Sequence, residues 1–275
     1  MWTSDRRPEA VAGTFYPGRA DDLARTIDDF MASARGREAA SEPAPKAIVV
    51  PHAGYVFSGP IAASAFARVA PHADVIRRVI LVGPLHRAYA RGLVWPGAKA
   101  LATPLGDVAV DGVALALVPE VRVDAHAHAA EHSLEVELPF IKRLLPRATV
   151  VPIGASVATA AEVGRTLLAL YGGPETLIVI STDLSHYLPY GEAKRVDQET
   201  IQRVLTLDVD AVDHDRACGA TGLTGLMWLA REKGLVPRVY DLRSSGDTAG
   251  DHRRVVGYAA LGFYERATRS HEVPS

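Results

Sequence analysis

The stretch Leu177-Ile178-Val179-Ile180-Ser181-Thr182-Asp183-Leu184-Ser185-His186 decides the fold prediction. It begins with four apolar residues, three of them β-branched, a run that is typical of a strand buried on both faces. Asp183 and His186 follow that run directly. A buried strand that ends in titratable side chains is the arrangement expected where an α/β sheet meets a ligand site.

Similar apolar runs recur along the chain, at residues 47–50, 79–82, 150–153, 239–242 and 255–263. Segments with apolar residues at helical spacing lie between them, at residues 21–31, 131–145, 160–170 and 221–232. This alternation predicts an α/β fold with a mixed, mostly parallel sheet flanked by helices on both faces. The polar, glycine-containing loop at residues 243–254 predicts a terminal antiparallel hairpin, with a crossover connection as the alternative.

The size and composition of the chain favour one globular domain. It has 275 residues, 48% of them hydrophobic, which is enough for a substantial core. We expect a single domain over residues 1–275 with a core at about 8–265, a surface loop at 34–45 and a frayed tail after 267. The formal net charge of −2 predicts no bulk attraction to nucleic acid or to an anionic membrane.

Cysteine content and hydropathy predict the compartment. Cys218 is the only cysteine, so no intramolecular disulfide can form, which fits a reducing environment. No apolar run approaches the ~20 residues that a membrane helix needs. The polar residues 1–8 lack the apolar stretch of a secretory signal. The sequence therefore predicts a cytoplasmic protein.

Four groups of polar residues each lie just past the carboxyl end of a different predicted strand. They are His52, His86, Asp183 together with His186, and Asp247. Because the carboxyl ends of parallel strands share one edge of a sheet, we expect these side chains to converge on one pocket. Each has a structural alternative: a turn at a strand end for the histidines, a helix cap for Asp183, and turn chemistry for Asp247.

Imidazole beside carboxylate is a metal-binding combination. Two histidines and one carboxylate form the facial triad favoured by non-haem Fe(II), and three such ligands plus water equally suit catalytic zinc. A further histidine can serve as an acid or base, since its ordinary pKa is near neutrality. His132 is a candidate at the start of the predicted helix at 131–145. Cys218 is either a thiolate nucleophile or inert packing.

Seven ordered stretches resemble the Memo family, also described as protein B of the AmmeMemoRadiSam system. They are Ala12-Gly13-Thr14-Phe15-Tyr16-Pro17, Val50-Pro51-His52-Ala53-Gly54-Tyr55-Val56-Phe57-Ser58-Gly59, Leu81-Val82-Gly83-Pro84-Leu85-His86, Thr103-Pro104-Leu105-Gly106, Glu131-His132-Ser133-Leu134-Glu135, Ser181-Thr182-Asp183-Leu184-Ser185-His186-Tyr187 and Ser244-Ser245-Gly246-Asp247-Thr248. The resemblance covers almost the whole chain. It implies a fold similar to the catalytic subunit of class III extradiol dioxygenases, which use non-haem Fe(II).

The resemblance also implies roles for individual residues. The first two motif histidines, here His52 and His86, form the metal pocket, and His186 matches the acid/base histidine. The third ligand is glutamate in the dioxygenases and cysteine in some animal Memo proteins. The matching loop here offers Asp247 as its one good hard-metal ligand, and Cys218 lies well before that loop.

The leading hypothesis is therefore a metal-dependent oxidoreductase. The metal would be Fe(II), with copper or zinc as alternatives, in a site that can also stay empty. Its expected ligands are His52, His86 and Asp247; its expected catalytic residues are His186, Asp183 (orienting His186) and His132; and its expected substrate-binding residues are Tyr16, Tyr55 and Ser245. The competing hypotheses are a non-catalytic module that binds a peptide or small anion in the same pocket, and a zinc hydrolase.

The expected partners are a small molecule or a peptide. A homo-oligomer is compatible with the sequence. The resemblance adds a functional link to AMMECR1-like proteins and to radical SAM proteins.

Overall fold

The computed structural model describes residues 5–34 and 42–266, so most of the predicted loop at 34–45 and the tail after 267 lie outside the described residues. The strands are β1 (Arg6–Arg7), β2 (Ala47–Val50), β3 (Arg78–Pro84), β4 (Leu93–Trp95), β5 (Ala100–Leu101), β6 (Val108–Ala109), β7 (Arg122–Val123), β8 (Thr149–Ala155), β9 (Thr176–Ser181), β10 (His186–Leu188), β11 (Val236–Ser244) and β12 (Val255–Tyr264). The α-helices are α1 (Ala20–Ala34), α2 (Tyr55–Val69), α3 (Gly112–Leu115), α4 (Ala125–Ala129), α5 (Leu138–Leu144), α6 (Ala160–Ala169), α7 (Tyr190–Leu205) and α8 (Ala220–Lys233). Short 3₁₀ turns occur at Ala70–His72, Glu135–Glu137, Val209–Ala211 and Ser245–Asp247.

The main sheet is mixed, as predicted, with a parallel centre. Within the described residues its strand order is β10-β12-β2-β9-β3-β8-β4-β7, and β11 pairs with β12. The four central strands β2, β9, β3 and β8 are parallel to one another. Antiparallel pairs flank that centre on both sides, so the parallel part is smaller than expected. The predicted terminal hairpin is confirmed as the β11–β12 pair.

The central strands are buried on both faces, which explains their continuous apolar composition. In β3, Ile80 and Val82 pack into one hydrophobic cluster, whereas Val79 and Leu81 pack into a second cluster on the other face. The first cluster also contains residues of α6 and α8, and the second contains residues of α1, α2 and α5. Burial of each such side chain contributes ~1.5–3 kcal/mol, so the two layers of helices hold the sheet between them.

The helices α3, α4 and α7 were not predicted, and two further helical segments also differ from the prediction. The first, α2, was not predicted, because it is apolar around most of its circumference and contains Pro60, so it lacks a polar stripe. The second is the predicted helix at 131–145, which becomes α-helical only at Leu138, after the 3₁₀ turn Glu135–Glu137. Pro139 fits at this start because the N–H groups of the first helical turn have no acceptor within the helix, so a residue without an N–H loses no hydrogen bond there. His132 therefore lies in a loop.

Within residues 5–34 and 42–266, no helix combines the length and the hydrophobicity that crossing a bilayer requires.

Candidate metal and ligand site

A cavity of about 860 Å³ opens at the carboxyl ends of the central strands. His52, His86 and Asp183 each lie two residues past the end of their strand, β2, β3 and β9 respectively. All three line the cavity, together with His132, His186 and Ser245. The convergence predicted from the strand ends is thus present, because the strands that carry these residues belong to the parallel centre.

Three histidines at this cavity form a group with the spacing of metal ligands. One nitrogen each of His52, His86 and His132 lies within 4.8 Å of the others. The rings of His86 and His132 are stacked with centroids 4.6 Å apart, and His52 meets both rings edge-on. The ring of Phe15 packs against the ring of His132, with the two centroids 4.8 Å apart.

The orientation of His52 is set by hydrogen bonds at both ring nitrogens. Its Nδ1 lies 2.8 Å from Oγ of Ser181, and its Nε2 lies 3.3 Å from Sγ of Cys218. The Ser181 hydroxyl has one hydrogen, and its acceptors are the carbonyl oxygen of Ser133 at 2.7 Å and Oε1 of Glu137 at 3.0 Å. Nδ1 of His52 must therefore carry the proton, which leaves the lone pair of Nε2 free for the Cys218 thiol or for a metal.

Glu131 orients the other two histidines. One of its oxygens lies 3.0 Å from Nδ1 of His86 and accepts the backbone N–H groups of His132 and Ser133, while the other accepts the backbone N–H of His86. Burial alone would raise the pKa of this carboxyl, but the bonds from His86 and Ser133 hold it below its usual range. Glu131 is therefore an ionised carboxylate behind a histidine, the arrangement that raises imidazole basicity at metal sites.

Two histidines of the group, His52 and His132, are held in the neutral form that metals bind. Burial, together with the nearby His86, holds the pKa of His52 well below its usual value. Burial likewise lowers the pKa of His132 and of His186. Because a metal competes with protons for imidazole nitrogen, lowered pKa values leave these ligands available at neutral pH.

A scan against protein-family models matches this chain to the family described as Memo-like protein, over residues 7–262. The chain belongs to the Memo family. A MEMO1 family protein of Aquifex aeolicus (strain VF5) is 35% identical over 274 residues, which cover 94% of this chain and 98% of the relative. A MEMO1 family protein of Methanococcoides burtonii is 36% identical over 275 residues, covering 93% and 98%, and one of Archaeoglobus fulgidus is 33% identical over 271 residues, covering 94% and 99%.

Asp183 occupies its expected place in this Memo-family protein but contacts a different partner. Its carboxylate accepts the backbone N–H of His52 at 2.8 Å, so it fixes the loop after β2. It was expected to orient His186, whose pKa is lowered by burial and partly raised by a bond to the backbone of Leu184. Burial raises the pKa of Asp183 to about 7. Both residues line the cavity, and their catalytic roles stay a prediction.

The expected ligand Asp247 is not brought to the histidines, which corrects the ligand set. Its carboxylate accepts the Tyr190 hydroxyl at 2.6 Å and the backbone N–H and hydroxyl of Ser244, where it closes a capping box. It lines a separate cavity beside α7. The third histidine, His132, takes the place in the group that had been expected of Asp247.

The expected substrate-binding tyrosines bond to other parts of the protein and are absent from the cavity lining. The hydroxyl of Tyr16 donates to Glu135 at 2.8 Å, and that of Tyr55 donates to the carbonyl oxygen of Val136 at 2.9 Å. Each tyrosine is only 3% exposed, and neither lines the cavity. Ser245 does line it, although its hydroxyl accepts the backbone N–H of Val256.

Sequence reasoning missed two contributors to the site, Glu131 and the arginines at the cavity wall, and it did not place Cys218 beside His52. Glu131 immediately precedes His132 in one of the matching motifs, and this was the signal that could have found it. The loop arginines Arg253 and Arg254 line the cavity with Arg87. Outside the candidate residues, His128 is buried with its Nε2 3.2 Å from the carbonyl oxygen of Val94. His271 lies outside the described residues.

The donor set fits a divalent metal ion. Three imidazoles at mutual distances within 4.8 Å suit zinc, copper and iron alike. The expected triad of two histidines and Asp247 is not formed, because that carboxylate bonds Tyr190 and Ser244. The group of His52, His86 and His132 could thus hold a metal ion through nitrogen donors.

Proposed function

We propose that this protein is a metal-dependent oxidoreductase acting on a small molecule. The observation that carries the proposal is the convergence of His52, His86 and His132 on one wall of an open cavity of about 860 Å³. A structural metal site is closed, whereas a site that faces a cavity keeps positions open for a substrate. The proposed metal is Fe(II), with copper and zinc as alternatives.

In this proposal the residues that line the cavity have different roles. His52, His86 and His132 would hold the ion, which, when bound, would supply Lewis acidity and redox chemistry at the cavity wall. His186 lines the cavity in its neutral form and can accept a proton from a substrate hydroxyl. Asp183 keeps the His52 loop in place through its bond to the backbone. The aromatic side chains of Phe15, Phe57 and Tyr258 line the cavity and restrict water.

The metal site is tested by titrating the metal-free protein with Fe(II), Co(II), Cu(I) and Zn(II) under nitrogen. We expect one ion per chain, and at least a 100-fold loss of affinity in His52→Ala and in His132→Ala, since each removes a ligand. His126→Ala is the matched control, because His126 is exposed and outside the group. Absence of stoichiometric uptake, or uptake unchanged in both ligand variants, would exclude the site.

The reaction class is tested by oxygen consumption of the Fe(II)-loaded protein with a panel of catechols. Turnover that falls strongly in His186→Ala, while its metal content stays that of the wild type, supports the oxidoreductase. If the panel gives no oxygen uptake and the zinc-loaded protein instead hydrolyses a model ester, the chain is a metal-assisted hydrolase. The all-imidazole donor set, which also suits zinc, is the observation that supports this second candidate.

A specific observation also favours anion binding without catalysis. Arg87, Arg253 and Arg254 all line the cavity; Arg253 pairs with Asp251, and Arg254 packs over the Tyr187 ring at 5.1 Å. Under this alternative, the metal-free protein binds inorganic phosphate, and Arg87→Ala and Arg254→Ala weaken it about 10-fold each. Arg165→Ala, an exposed arginine on α6, is the control. Phosphate binding that requires bound metal would argue against this alternative.

A further inference from the structure

A buried carboxyl group lies directly behind His52, on the side away from the cavity. The hydroxyl oxygen of Ser181 is 2.8 Å from Nδ1 of His52 and 3.0 Å from Oε1 of Glu137. Glu137 and Ser181 are 0% exposed, and His52 is 1% exposed. The three side chains form a continuous chain of polar atoms that runs from the protein interior to the metal group.

The hydrogen bonds of this chain are all satisfied when Glu137 carries a proton. The single hydrogen of the Ser181 hydroxyl has two acceptors within reach, the carbonyl oxygen of Ser133 at 2.7 Å and Oε1 of Glu137 at 3.0 Å, and the nearer is Ser133. The two lone pairs of the hydroxyl then accept the Nδ1 proton of His52 and one further hydrogen. A protonated Glu137 supplies that hydrogen, so that the hydroxyl is fully satisfied. An ionised Glu137 would compete with Ser133 for the same hydroxyl hydrogen.

The surroundings of Glu137 also favour the neutral acid. Its Oε2 has no hydrogen-bond partner in the part of the chain that the structure describes. Burial raises the pKa of Glu137 well above its usual value; the hydrogen bond with Ser181 lowers it in part, and the nearby Asp183 raises it. The negative charge of an ionised Glu137 would in turn raise the pKa of the buried Tyr55. An ionised carboxylate with one oxygen lacking a hydrogen bond in this buried position would be energetically unfavourable.

We infer that Glu137 is the proton-carrying partner of the metal group: it holds a proton in the metal-free protein and releases it to solvent when a divalent cation binds. The inference rests on the proposed metal site. A cation bound by three neutral histidines adds two positive charges to a buried region, and an uncompensated buried charge is strongly unfavourable. Loss of one proton from the nearby carboxyl group halves the added charge.

The step balances without redox chemistry. The O–H bond of Glu137 breaks, its proton passes to buffer, and the hydroxyl of Ser181 turns from Ser133 to Oε1 of Glu137. The hydroxyl still accepts from Nδ1 of His52, now as the middle of a carboxylate–hydroxyl–imidazole chain. Such outer partners of a ligating histidine fix its orientation and raise its basicity.

Other titratable groups face the same site and contribute to the number of protons that metal binding releases. His52 is acted on by His86, His132, Glu131 and His186. Glu131 is already ionised and has no proton to release. Asp183, with its pKa of about 7, can release a fraction of a proton at neutral pH. A change confined to Glu137 therefore isolates its contribution.

The inference is tested by calorimetric titration of the metal-free protein with Co(II) at pH 7, in buffers of different ionisation enthalpy. The dependence of the heat on the buffer gives the number of protons released per ion bound. In Glu137→Gln we expect that number to fall by about one and the Co(II) affinity to fall by about 10–100-fold, the usual effect of removing an outer partner. Gln is isosteric with the neutral acid and can donate to Ser181.

Glu120→Gln is the matched control, because Glu120 also bonds a hydroxyl, that of Thr166 at 2.9 Å, but is exposed and absent from the cavity lining. Equal proton release and equal affinity in wild type and Glu137→Gln would overturn the inference while leaving the metal site intact. A wild-type protein that takes up no Co(II) would overturn the proposed function and, with it, the release step.

A second measurement avoids any folding defect of Glu137→Gln. In Asp183→Asn protein, the infrared band of a buried protonated carboxyl group should be present without metal and should disappear when Co(II) is added. A band that is absent from the metal-free protein, or one that survives metal binding, contradicts the inference.

Discussion

Nε2 of His52 lies 3.3 Å from Sγ of Cys218, although the two residues are 166 positions apart in the chain. The contact arises because His52 follows β2 and Cys218 precedes α8, which packs against β9 and β3. The backbone N–H of Asp183 also points at the sulfur, at 3.3 Å. With Nδ1 of His52 protonated, the thiol hydrogen fits the free lone pair of Nε2, so the metal-free site is internally satisfied.

We expect Cys218 to react slowly with thiol reagents. Burial raises the pKa of this thiol to about 12, so the reactive thiolate is scarce at neutral pH. Alkylation by iodoacetamide at pH 7.5 should be at least ~100-fold slower in the folded protein than in the urea-unfolded protein, as a shift of this size implies. Equal rates in the two states would show that the thiol is not held as described.

A second prediction separates structure from substrate binding at Tyr16. Its hydroxyl donates to Glu135, which also accepts the backbone N–H groups of Ala10 and Val11 and pairs with Arg7 at 2.7 Å. Tyr16→Phe should lower the free energy of unfolding by about 1–2 kcal/mol, because it removes one bond to a buried carboxylate. Metal uptake should not change.

Urea denaturation of Tyr16→Phe checks the stability, with Tyr89→Phe as the control because Tyr89 is 72% exposed. A Tyr16→Phe variant that is as stable as the wild type but binds ligand or metal more weakly would show that Tyr16 belongs to the binding site.

The fold could be predicted from the sequence because burial on both faces leaves a continuous apolar signal. The runs at 79–82 and 177–180 lie within β3 and β9, and the amphipathic segments at 160–170 and 221–232 became α6 and α8. The helix α2 has no such signal, since a helix buried nearly all round looks like any other apolar stretch.

The site was predictable only where it depended on the parallel strands. His52, His86 and Asp183 converge because each follows a strand of the parallel centre. Asp247 follows β11, which pairs antiparallel with β12 outside that centre, so the same rule does not apply to it. Cys218 and Glu131 come from loops between elements, and their positions depend on packing, which leaves no periodic signal in the sequence.

We expect Asp247→Asn to leave the metal site intact. Asp247 closes the capping box of the turn after β11, so the change should cost about 0.5–2 kcal/mol of stability, the usual value of a lost cap. Metal affinity, measured by Co(II) titration, should stay within about twofold of the wild type, given that the carboxylate bonds Tyr190 and Ser244. A loss of affinity comparable to that of His52→Ala would restore Asp247 as a ligand.

The last prediction concerns the pH dependence of stability at Asp183. Its pKa in the folded protein, about 7, is raised above the ordinary value of 3.8 by burial, so the folded state binds its proton more tightly than the unfolded state. The corresponding stability is fully present below pH 3.8 and is lost as the pH rises through 7. Relative to Asp183→Asn, the wild type should therefore lose roughly 2–4 kcal/mol between pH 4 and pH 8, at about 1.4 kcal/mol per pKa unit.

The measurement is urea denaturation of the metal-free wild type and of Asp183→Asn at intervals across this range. Comparing the two proteins cancels the opposite effect of His52 and His132, whose lowered pKa values make the folded state gain stability as the pH rises. Asp74→Asn is the control, because the side chain of Asp74 is 95% exposed. A difference between wild type and Asp183→Asn that stays constant with pH, or that grows in favour of the wild type, would mean that Asp183 is ionised throughout and that its bond to the His52 backbone outweighs its burial.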